Sequence, residues 1–376
     1  MIHKTKPKVL EFFAGGGFAR LGLSADFEVV WANDIDPMKA SAWSRNFGAA
    51  GFELGDVAEI DVARVPKAEL AWASFPCQDL SLAGTRAGLS AARSGTFYRF
   101  IEIISGLKIL GNAPKVLVIE NVSGLLTSHS GRDFAALMQT LAELGYQAGA
   151  LEIDARFFLP QSRPRVFIIA CALGHAIPEV LKSDGPSTSL FHSSATQKVV
   201  AHLPSDLRAN HIWWALPVPP AHQQTLGDIV DSSDQNWWTQ AKTLALIHAL
   251  STRHKEKLEA AQKDQQPKIG AVYRRTRIID GVRRAVGEVR FDGLAGCLRT
   301  PSGGSSRQFL LFVDGSQVRA RALNAREAMR LMGVSDEYDL PQSVLSGLKI
   351  AGDGVAVPVV AWLSKHLLAP LTTAMS

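Results

Sequence analysis

The run Pro114-Lys115-Val116-Leu117-Val118-Ile119 is uninterrupted and apolar after Lys115, and Glu120-Asn121-Val122 follows it directly. Strands of this composition are buried on both faces, as in parallel sheets that helices cover on both sides. The run therefore predicts a buried parallel strand and an α/β fold. It also brings the carboxylate of Glu120 to the carboxyl edge of the sheet. A charged group there is either ion-paired or catalytic, and of the two we favour catalysis.

A second apolar run, Leu70 to Phe75, ends at Pro76 and Cys77. Proline has no N–H to give to a strand ladder, so the strand stops and the chain must turn. Cys77 is thus predicted at the same carboxyl edge, where open α/β sheets bind ligands. A thiol in this place suits a nucleophile. An inert buried cysteine is the competing interpretation, and Cys77 alone does not separate the two.

A glycine-rich turn, Gly15-Gly16-Gly17, follows the first predicted strand, Lys8 to Phe13, and leads into a helix predicted from about Ala19. Such a turn lets the backbone approach a ligand at a helix N-terminus. Asp34 ends the second predicted strand, 19 residues after Gly15. Nucleotide-binding α/β units place a ribose-binding carboxylate at about this spacing. Turn and carboxylate together predict a ligand site, although an ordinary helix start also explains the glycines.

Two arginines, Arg163 and Arg165, stand one residue apart before the apolar run that begins at Val166. On an extended chain such residues point the same way, so both guanidinium groups can converge on one anionic or carbonyl-bearing site. An exposed edge strand is the less favoured interpretation.

These motifs share an order along the chain. Phe75-Pro76-Cys77-Gln78 resembles the nucleophile motif of the cytosine-C5 DNA methyltransferases, and further motifs of that family occur in the family's order. They are Phe13-Ala14-Gly15-Gly16-Gly17, Glu120-Asn121-Val122, Gln161-Ser162-Arg163-Pro164-Arg165, Arg326-Glu327 with Leu331-Met332-Gly333, and Gly352-Asp353-Gly354-Val355-Ala356-Val357-Pro358. The resemblance covers residues 8 to 173 and roughly 319 to 370.

The resemblance implies a Rossmann-like, doubly wound methyltransferase sheet with an inserted smaller domain. Residues 1–174 would form the catalytic domain, residues 175–318 the target-recognition domain, and residues 319–376 a segment returning to the catalytic domain. Two tryptophan pairs in the middle part, Trp213-Trp214 and Trp237-Trp238, are interpreted as core residues in preference to base-stacking ones.

The resemblance also implies S-adenosylmethionine as cofactor. Asp34 would bind its ribose, and Asp56 would accept a hydrogen bond from the adenine amino group. The complete set of cofactor-binding residues expected on this ground is Phe13, Ala14, Gly15, Gly17, Asp34, Ile35, Asp56, Val57, Pro76, Phe97 and Asp353.

The chemistry implied is methylation of C5 of a flipped-out cytosine in a specific duplex DNA sequence. Cys77 would add to C6, Glu120 would act near N3, Arg165 near O2, and Arg163 would hold the loop and the nucleophile. The expected DNA-binding residues are Gln78, Ser81, Arg274, Arg275, Arg299, Thr300, Gly303 and Arg307.

Two positions depart from the family pattern. Phe18 stands where a second glycine is usual, which puts contacts with the methionine end of the cofactor in question. Asp353 stands where asparagine is usual; it is expected to precede and cap the helix from about Val355, adding charge beside the cofactor.

The charge distribution favours an anionic partner. The chain of 376 residues has a formal net charge of +5, a modest excess. Between Ser251 and Arg290, however, eleven lysines and arginines stand against five acidic residues. The arginines after Gly270 are predicted to contact phosphates, while Lys255 to Lys263 fits a solvated helix face.

The sequence also argues against disulfides, a metal site and a membrane-spanning segment. The three cysteines form no C-x-x-C pair, and the histidines lack ligand spacing, so neither disulfides nor a metal site is expected. We find no apolar run of about 18 residues and no apolar signal stretch, and we expect no membrane partner. We expect a monomer in the bacterial cytoplasm that associates with the nucleoid. A possible partner is a cognate restriction endonuclease acting on the same site.

Two alternatives remain. The substrate could be RNA, as in the family's transfer-RNA branch, but the Cys-Phe-Thr signature of that branch is absent. The chain could also be a non-catalytic DNA-binding relative. Retention of Cys77, Glu120, Arg163 and Arg165 together argues against that.

Overall fold

A computed structural model describes residues 5–76, 95–186, 190–279, 281–300 and 307–374. The expected nucleophile Cys77 and the expected DNA contacts Gln78, Ser81 and Gly303 lie outside these residues. Contacts between Cα atoms divide the chain into two units. Unit 1 comprises residues 1–154, 164–220 and 359–376, and unit 2 comprises residues 155–163 and 221–358.

A seven-stranded sheet forms the centre of unit 1, in the order β3-β2-β1-β4-β5-β7-β6. Six of the strands run in the same direction, while β7 is antiparallel to both of its neighbours, β5 and β6. The expected α/β fold with a doubly wound, Rossmann-like sheet is confirmed. The strands are β1 (Lys8–Phe12), β2 (Glu28–Asp34), β3 (Phe52–Leu54), β4 (Leu70–Ala73), β5 (Val116–Val122), β6 (Tyr146–Asp154) and β7 (Pro164–Ala172).

The strand order reverses between β1 and β4, which is the crevice where such sheets bind ligands. The central strands are buried on both faces: all four residues of β4, and β5 from Val116 to Ile119, have no exposed surface. Their apolar sequences are explained by this burial, as predicted.

Helices pack on the sheet through their apolar faces. α2 begins where Asp36 accepts a hydrogen bond from the backbone N–H of Met38 (2.9 Å), with Pro37 at the first helical position. The helices of this part are α1 (Phe18–Leu23), α2 (Pro37–Phe47), α3 (Thr96–Ile109) and α4 (Arg132–Glu143).

Residues 175–220 pack in unit 1, whereas the sequence assigned them to the inserted domain. They contain β8 (Lys182–Ser183), α5 (Ser194–Ala201), α6 (Ser205–Ala209) and β9 (Trp213–Trp214). Val199, Val200, Leu203 and Leu207 join the same apolar core as Leu137 of α4. The segment lacks a parallel-strand pattern, so its sequence does not reveal that its apolar side chains are buried against the central sheet's helices.

Unit 2 is built on an antiparallel sheet in the order β11-β10-β12-β13, with its own apolar core. Asn324 and Glu327 form a capping box at the start of α10, and Gly333 follows that helix with φ of 74°, as predicted for a residue that ends a helix. The elements are α7 (Leu226–Ile229), α8 (Gln240–His248), α9 (Thr252–Gln262), β10 (Lys268–Ile279), β11 (Val282–Arg290), β12 (Phe309–Asp314), β13 (Gln317–Ala322), α10 (Ala325–Leu331) and α11 (Val344–Asp353).

The chain ends with α12 (Val357–Leu363), a π-helical turn (Ser364–Leu368) and α13 (Ala369–Thr373). Pro358 lies in the first turn of α12, as predicted. By length and mean apolar composition alone, Val344–Thr373 passes as one membrane-spanning candidate, although Lys349, Asp353 and Lys365 interrupt its apolar residues. Half of its most apolar window is buried inside the fold, and a core helix meets the same criterion.

Candidate active site

Asp34 ties the ends of β1 and β2 together at the sheet's carboxyl edge. One carboxylate oxygen accepts from the backbone N–H of Gly15 (2.8 Å), and the other accepts from that of Asp36 (2.9 Å). A carboxylate has about four acceptor positions, so two remain for hydroxyl groups of a ligand. Asp34 is therefore both a support for the glycine turn and a candidate ribose-binding group.

The glycine turn leaves open space above the sheet. Phe13 and Gly15 both have φ of 57°, in the left-handed region that side chains rarely adopt. A Cβ on Gly15 would meet no atom within 4 Å, whereas one on Gly17 would lie 2.3 Å from the ring of Phe47. Gly17 is thus required by packing, and the space beside Gly15 is available to a ligand.

Polar and apolar groups suited to a nucleoside follow β2 and β3. Ile35 is 64% exposed, which is unusual for a large apolar side chain next to a buried strand end. Asp56 is exposed and caps the turn at Val57, accepting from the N–H of Ala58 (2.9 Å) through Oδ1. Asn33 donates to the carbonyls of Glu53 and Gly55 (2.9 Å each) and so fixes these two strand ends together.

Glu11 of β1 is a buried carboxyl that the sequence analysis did not single out. It is 1% exposed, and burial raises its pKa to about 8, against the opposing influence of Arg20. Oε2 of Glu11 is buried and has no hydrogen-bond partner among the described residues. An acidic residue inside an apolar strand was the available sequence signal.

The chain that leads to Cys77 is held by β5. Asn121 donates from Nδ2 to the carbonyl oxygen of Phe75 at 3.2 Å. Phe75 is buried and packs against Phe97 (ring centroids 5.4 Å apart) and Phe13 (6.3 Å), while Pro76 is exposed. Phe97 itself has no exposed surface, so its contact with a cofactor stays a prediction.

Glu120 and Arg165 face each other across the antiparallel pair β5 and β7. Nε of Arg165 lies 3.2 Å from Oε1 of Glu120, with side-chain exposures of 13% and 9%. Among the described residues no hydrogen bond reaches Oε2 of Glu120. The pair therefore combines a carboxyl and a guanidinium in a nearly dry place, with acceptor capacity left over.

Arg163, two residues before Arg165, has different described partners. Its guanidinium is buried in unit 2 and donates to the carbonyl oxygens of Leu298 (2.7 Å), Gly352 (2.8 Å) and Gly354 (2.7 Å). Gln161 also joins separate segments, since it donates to the carbonyl of Leu331 (2.6 Å) and accepts from the N–H of Leu298 (3.1 Å). This motif thus fixes three chain segments of unit 2.

The expected DNA-contacting residues of unit 2 lie in two places. Arg299 is exposed, and Thr300 next to it donates to the carboxylate of Asp353, the last residue of α11. Arg307 is partly buried, whereas Arg274 and Arg275 are exposed on β10. Asp353 does not cap a following helix as expected, because α11 continues through it and α12 begins only at Val357.

In the described part of the chain, no group of three or more histidine, cysteine, aspartate or glutamate residues could hold a metal ion.

Comparisons with known proteins agree with this geometry. The family model for C-5 cytosine-specific DNA methylase matches residues 7–369. The type II methyltransferase M1.ScrFI of Lactococcus lactis subsp. cremoris is 26% identical, over 97% of this chain and 78% of that protein. The type II methyltransferase M.NlaX of Neisseria lactamica is 24% identical, over 97% of each chain.

Solved structures show the same fold. The Dnmt2 methyltransferase of S. pombe superimposes with a TM-score of 0.60 at 16% identity, covering 95% of this chain and 97% of that one. The family resemblance found in the motifs is confirmed over nearly the whole length. The chain belongs to the C-5 cytosine-specific DNA methylase family and is a DNA (cytosine-5-)-methyltransferase.

Proposed function

We propose that this enzyme transfers a methyl group from S-adenosylmethionine to C5 of a flipped-out cytosine in a specific duplex sequence, through a covalent bond between Cys77 and C6. The observation that carries the proposal is the Glu120–Arg165 pair at the carboxyl edge of the sheet. It brings an acid and a cation together where the apolar run before Pro76 also ends.

The cofactor proposal rests on the fit of the edge formed by β1, β2 and β3. Open space beside Gly15, unused acceptor positions on Asp34 and the exposed side chain of Ile35 suit the backbone, ribose and base contacts of an adenosyl group. When bound, S-adenosylmethionine would supply the electrophilic methyl group. Asp34, Ile35 and Asp56 would hold its nucleoside end.

The chain's own residues would lower the barrier to nucleophilic addition. Cytosine C5 becomes nucleophilic once a thiolate adds to C6, because the addition moves negative charge to N3 and O2. A protonated Glu120 would hydrogen-bond to N3, and Arg165 would stabilise the charge at O2. After C5 is methylated, loss of the C5 proton expels the Cys77 thiolate and restores the C5–C6 double bond.

Positioning follows from the neighbours of these groups. Asn121 holds the carbonyl of Phe75, two residues before Cys77, and so fixes the chain that carries the thiol. Arg163 would serve as a positioning residue through the segments that it joins. None of the reacting base atoms is accessible in a stacked duplex, so the cytosine must leave the helix.

The proposal also covers recognition of the DNA sequence and the enzyme's partner and location in the cell. We assign site recognition to the segment within residues 175–318 that lacks shared motifs, with Arg299, Thr300 and Arg307 among its DNA contacts. Since the relatives M1.ScrFI and M.NlaX are type II methyltransferases, we propose a cognate restriction endonuclease for the same site, and a monomer that acts on the nucleoid in the bacterial cytoplasm.

The test is mechanism-based trapping on duplex DNA that contains 5-fluorocytosine at the target. Fluorine cannot leave C5 as a proton does, so the Cys77 adduct should persist through denaturation when S-adenosylmethionine is present. Cys77→Ser should abolish the adduct. Cys171→Ser is the matched control, because Cys171 is 1% exposed and burial raises its pKa, so its thiol is inert.

Three outcomes decide the proposal. A full yield of adduct in Cys77→Ser would mean that another group is the nucleophile. Methyl transfer to transfer RNA but not to duplex DNA would replace the DNA assignment with the RNA alternative. Absence of trapping together with tight, specific duplex binding would identify a non-catalytic relative.

A further inference from the structure

The outer edge of β6, the last strand of the seven-stranded sheet, is covered by the chain around Phe191 and Ile212. The N–H of Ile212 donates to the carbonyl oxygen of Ala148 (3.0 Å), and the N–H of Glu152 donates to that of Phe191 (2.8 Å). The segment that carries Phe191 and Ile212 also forms a cavity of about 470 Å³. Small-molecule sites have volumes of roughly 300 to 1,000 Å³, so this cavity is large enough for a ligand.

Trp213 of β9 forms an aromatic wall of this cavity. Two imidazole rings hold it: the centroid of its ring lies 5.0 Å from that of His192 and 4.7 Å from that of His211, at interplanar angles of 81° and 71°. Both imidazoles are buried, and burial lowers the pKa of each to about 4, so both are neutral near pH 7. Because Trp213 is already fixed in orientation, little side-chain freedom is lost when a flat ligand stacks on it.

Two cations, Lys198 of α5 and Arg208 of α6, line the same cavity and are exposed. Nη1 of Arg208 donates to the carbonyl oxygen of Ala201 (3.1 Å), which holds the guanidinium at the end of the helix that carries Lys198. Among the described residues, neither cation forms an ion pair and the cavity lining contains no carboxylate. A guanidinium has five N–H donors, so Arg208 retains donors for an oxyanion.

Gln197 of α5 adds an oriented acceptor to the cavity. Its Nε2 donates to the carbonyl oxygen of His192 at 2.8 Å, which fixes the plane of the amide. Within the described part of the chain, Oε1 of Gln197 accepts no hydrogen bond. An amide oxygen held in this way suits an N–H group at the edge of a heterocyclic base.

We propose that this cavity is an accessory, non-catalytic binding site for a nucleoside 5′-phosphate. The base stacks on Trp213 and donates an N–H to Oε1 of Gln197, and the phosphate lies between Lys198 and Arg208. Aromatic side chains stack on any nucleobase, because every base has a π-face. Phosphate oxygens accept charge-assisted hydrogen bonds from both types of cation. One ligand of this class therefore uses the ring, the amide and both charges.

The accessory site is separate from the edge proposed for the cofactor. β6 and β2, the strand that ends at Asp34, lie on opposite sides of β1, β4, β5 and β7 in the strand order. The inference therefore goes beyond the proposed function and does not rest on it. Two simpler ligands match the cavity less completely: an inorganic anion would not use Trp213, and an uncharged apolar molecule would not use Lys198 or Arg208.

The test is calorimetric titration of the full chain with inosine 5′-monophosphate. Its base has an N–H for Gln197 and lacks the amino group that Asp56 is expected to bind. Inosine, which has no phosphate, and ribose 5-phosphate, which has no base, should each bind more weakly by about tenfold or more. Lys198→Gln/Arg208→Gln should weaken binding of inosine 5′-monophosphate by a similar factor, because both charged contacts to the phosphate are lost.

Lys115→Gln/Arg132→Gln is the matched control and should bind like the wild type. Both of its positions are exposed, and Arg132, like Arg208, donates to a backbone carbonyl, that of His129 (3.0 Å). No binding of inosine 5′-monophosphate to the wild type, or an equal loss in the control, would overturn the proposal. Equal affinity for either fragment, or displacement of the nucleotide by S-adenosylmethionine, would also reject the accessory site, the latter by placing the nucleotide at the Asp34 edge.

Discussion

Each unit contains a buried glutamate–arginine pair. The two pairs have the same residue types but differ in the number of hydrogen bonds that the glutamate makes. Glu120 meets Arg165 through one contact of 3.2 Å. Glu327 meets Arg321 through two contacts, 2.5 and 2.8 Å, and also accepts from the backbone N–H groups of Asp231 (2.9 Å) and Asn324 (3.0 Å). Among the described residues, one carboxylate oxygen of Glu120 accepts no hydrogen bond, whereas both oxygens of Glu327 accept.

The number of partners explains what each pair can do. Glu327 is 0% exposed and anchors β13, α10 and the chain at Asp231, so loss of its charge would leave the buried Arg321 with only its longer contact to Asp234 (3.3 Å) among the described ion pairs. Glu120 can accept or donate a further hydrogen bond without breaking its pair. A catalytic carboxyl needs an oxygen that can hydrogen-bond to the substrate, whereas a structural carboxyl is more stable when both of its oxygens already have partners.

Glu120→Gln should have the largest effect on activity. The amide cannot give a proton to N3, and loss of a general acid typically costs about 10² to 10⁴ in rate. Single-turnover methyl transfer measures this, and the urea midpoint should stay close to that of the wild type. A variant that loses stability and keeps its rate per folded molecule would assign Glu120 to structure.

Glu327→Gln should have the opposite profile. The variant loses the two charged contacts to Arg321 and leaves that arginine with the longer contact to Asp234 (3.3 Å), so we expect a loss of about 2 kcal/mol in the free energy of unfolding. Urea denaturation followed by circular dichroism checks this. Glu327→Leu with Arg321→Met should recover much of the loss, and failure to do so would show that the hydrogen bonds to Asp231 and Asn324 dominate.

Arg163→Lys and Arg165→Lys separate two neighbouring arginines in the same way. A lysine cannot satisfy the three carbonyl groups that Arg163 reaches, so we expect about 2 kcal/mol of lost stability. Arg165→Lys should instead slow methyl transfer with little change in the urea midpoint. Similar profiles for both variants would contradict separate roles.

Glu11→Gln tests a third buried glutamate, whose carboxyl lacks an arginine ion pair among the described residues. Its pKa of about 8 in the folded protein exceeds the ordinary 4.5, so the folded state retains a proton that the unfolded chain loses. Wild-type stability should therefore fall as pH rises from 4.5 to 8, by about 2 kcal/mol between pH 6 and 8. The variant should lack this component. Parallel stability curves for both proteins would show that Glu11 does not titrate in this range.

Much of unit 1 was predictable from local pattern. The apolar runs predicted β4, β5 and β7. The spacing of Gly15 and Asp34 along the chain predicted that both belong to one ligand site. The hydrogen bond between them agrees with that prediction. Burial on both faces of a parallel sheet leaves a strong local pattern, which is why these predictions succeeded.

Other features have no local signature. The packing of residues 175–220 in unit 1 could not be read from the sequence, because apolar side chains carry no local sign of the core that they join. The separate partners of Arg163 and Arg165 were also missed, since alternation in an extended chain says nothing about carbonyl groups 135 to 191 residues away.

The sequence by itself determined the family, the positions of the buried strands along the chain and the residue types at their ends, because burial and turn geometry restrict composition over a few neighbouring residues. Only the tertiary structure decided how many partners each buried charge has. It also decided that Arg277 of β10 lies opposite Arg284 of β11 where this hairpin extends beyond β12. Those properties depend on atoms brought together from distant segments, and the same Glu and Arg residues become catalytic or structural according to how completely those atoms satisfy them.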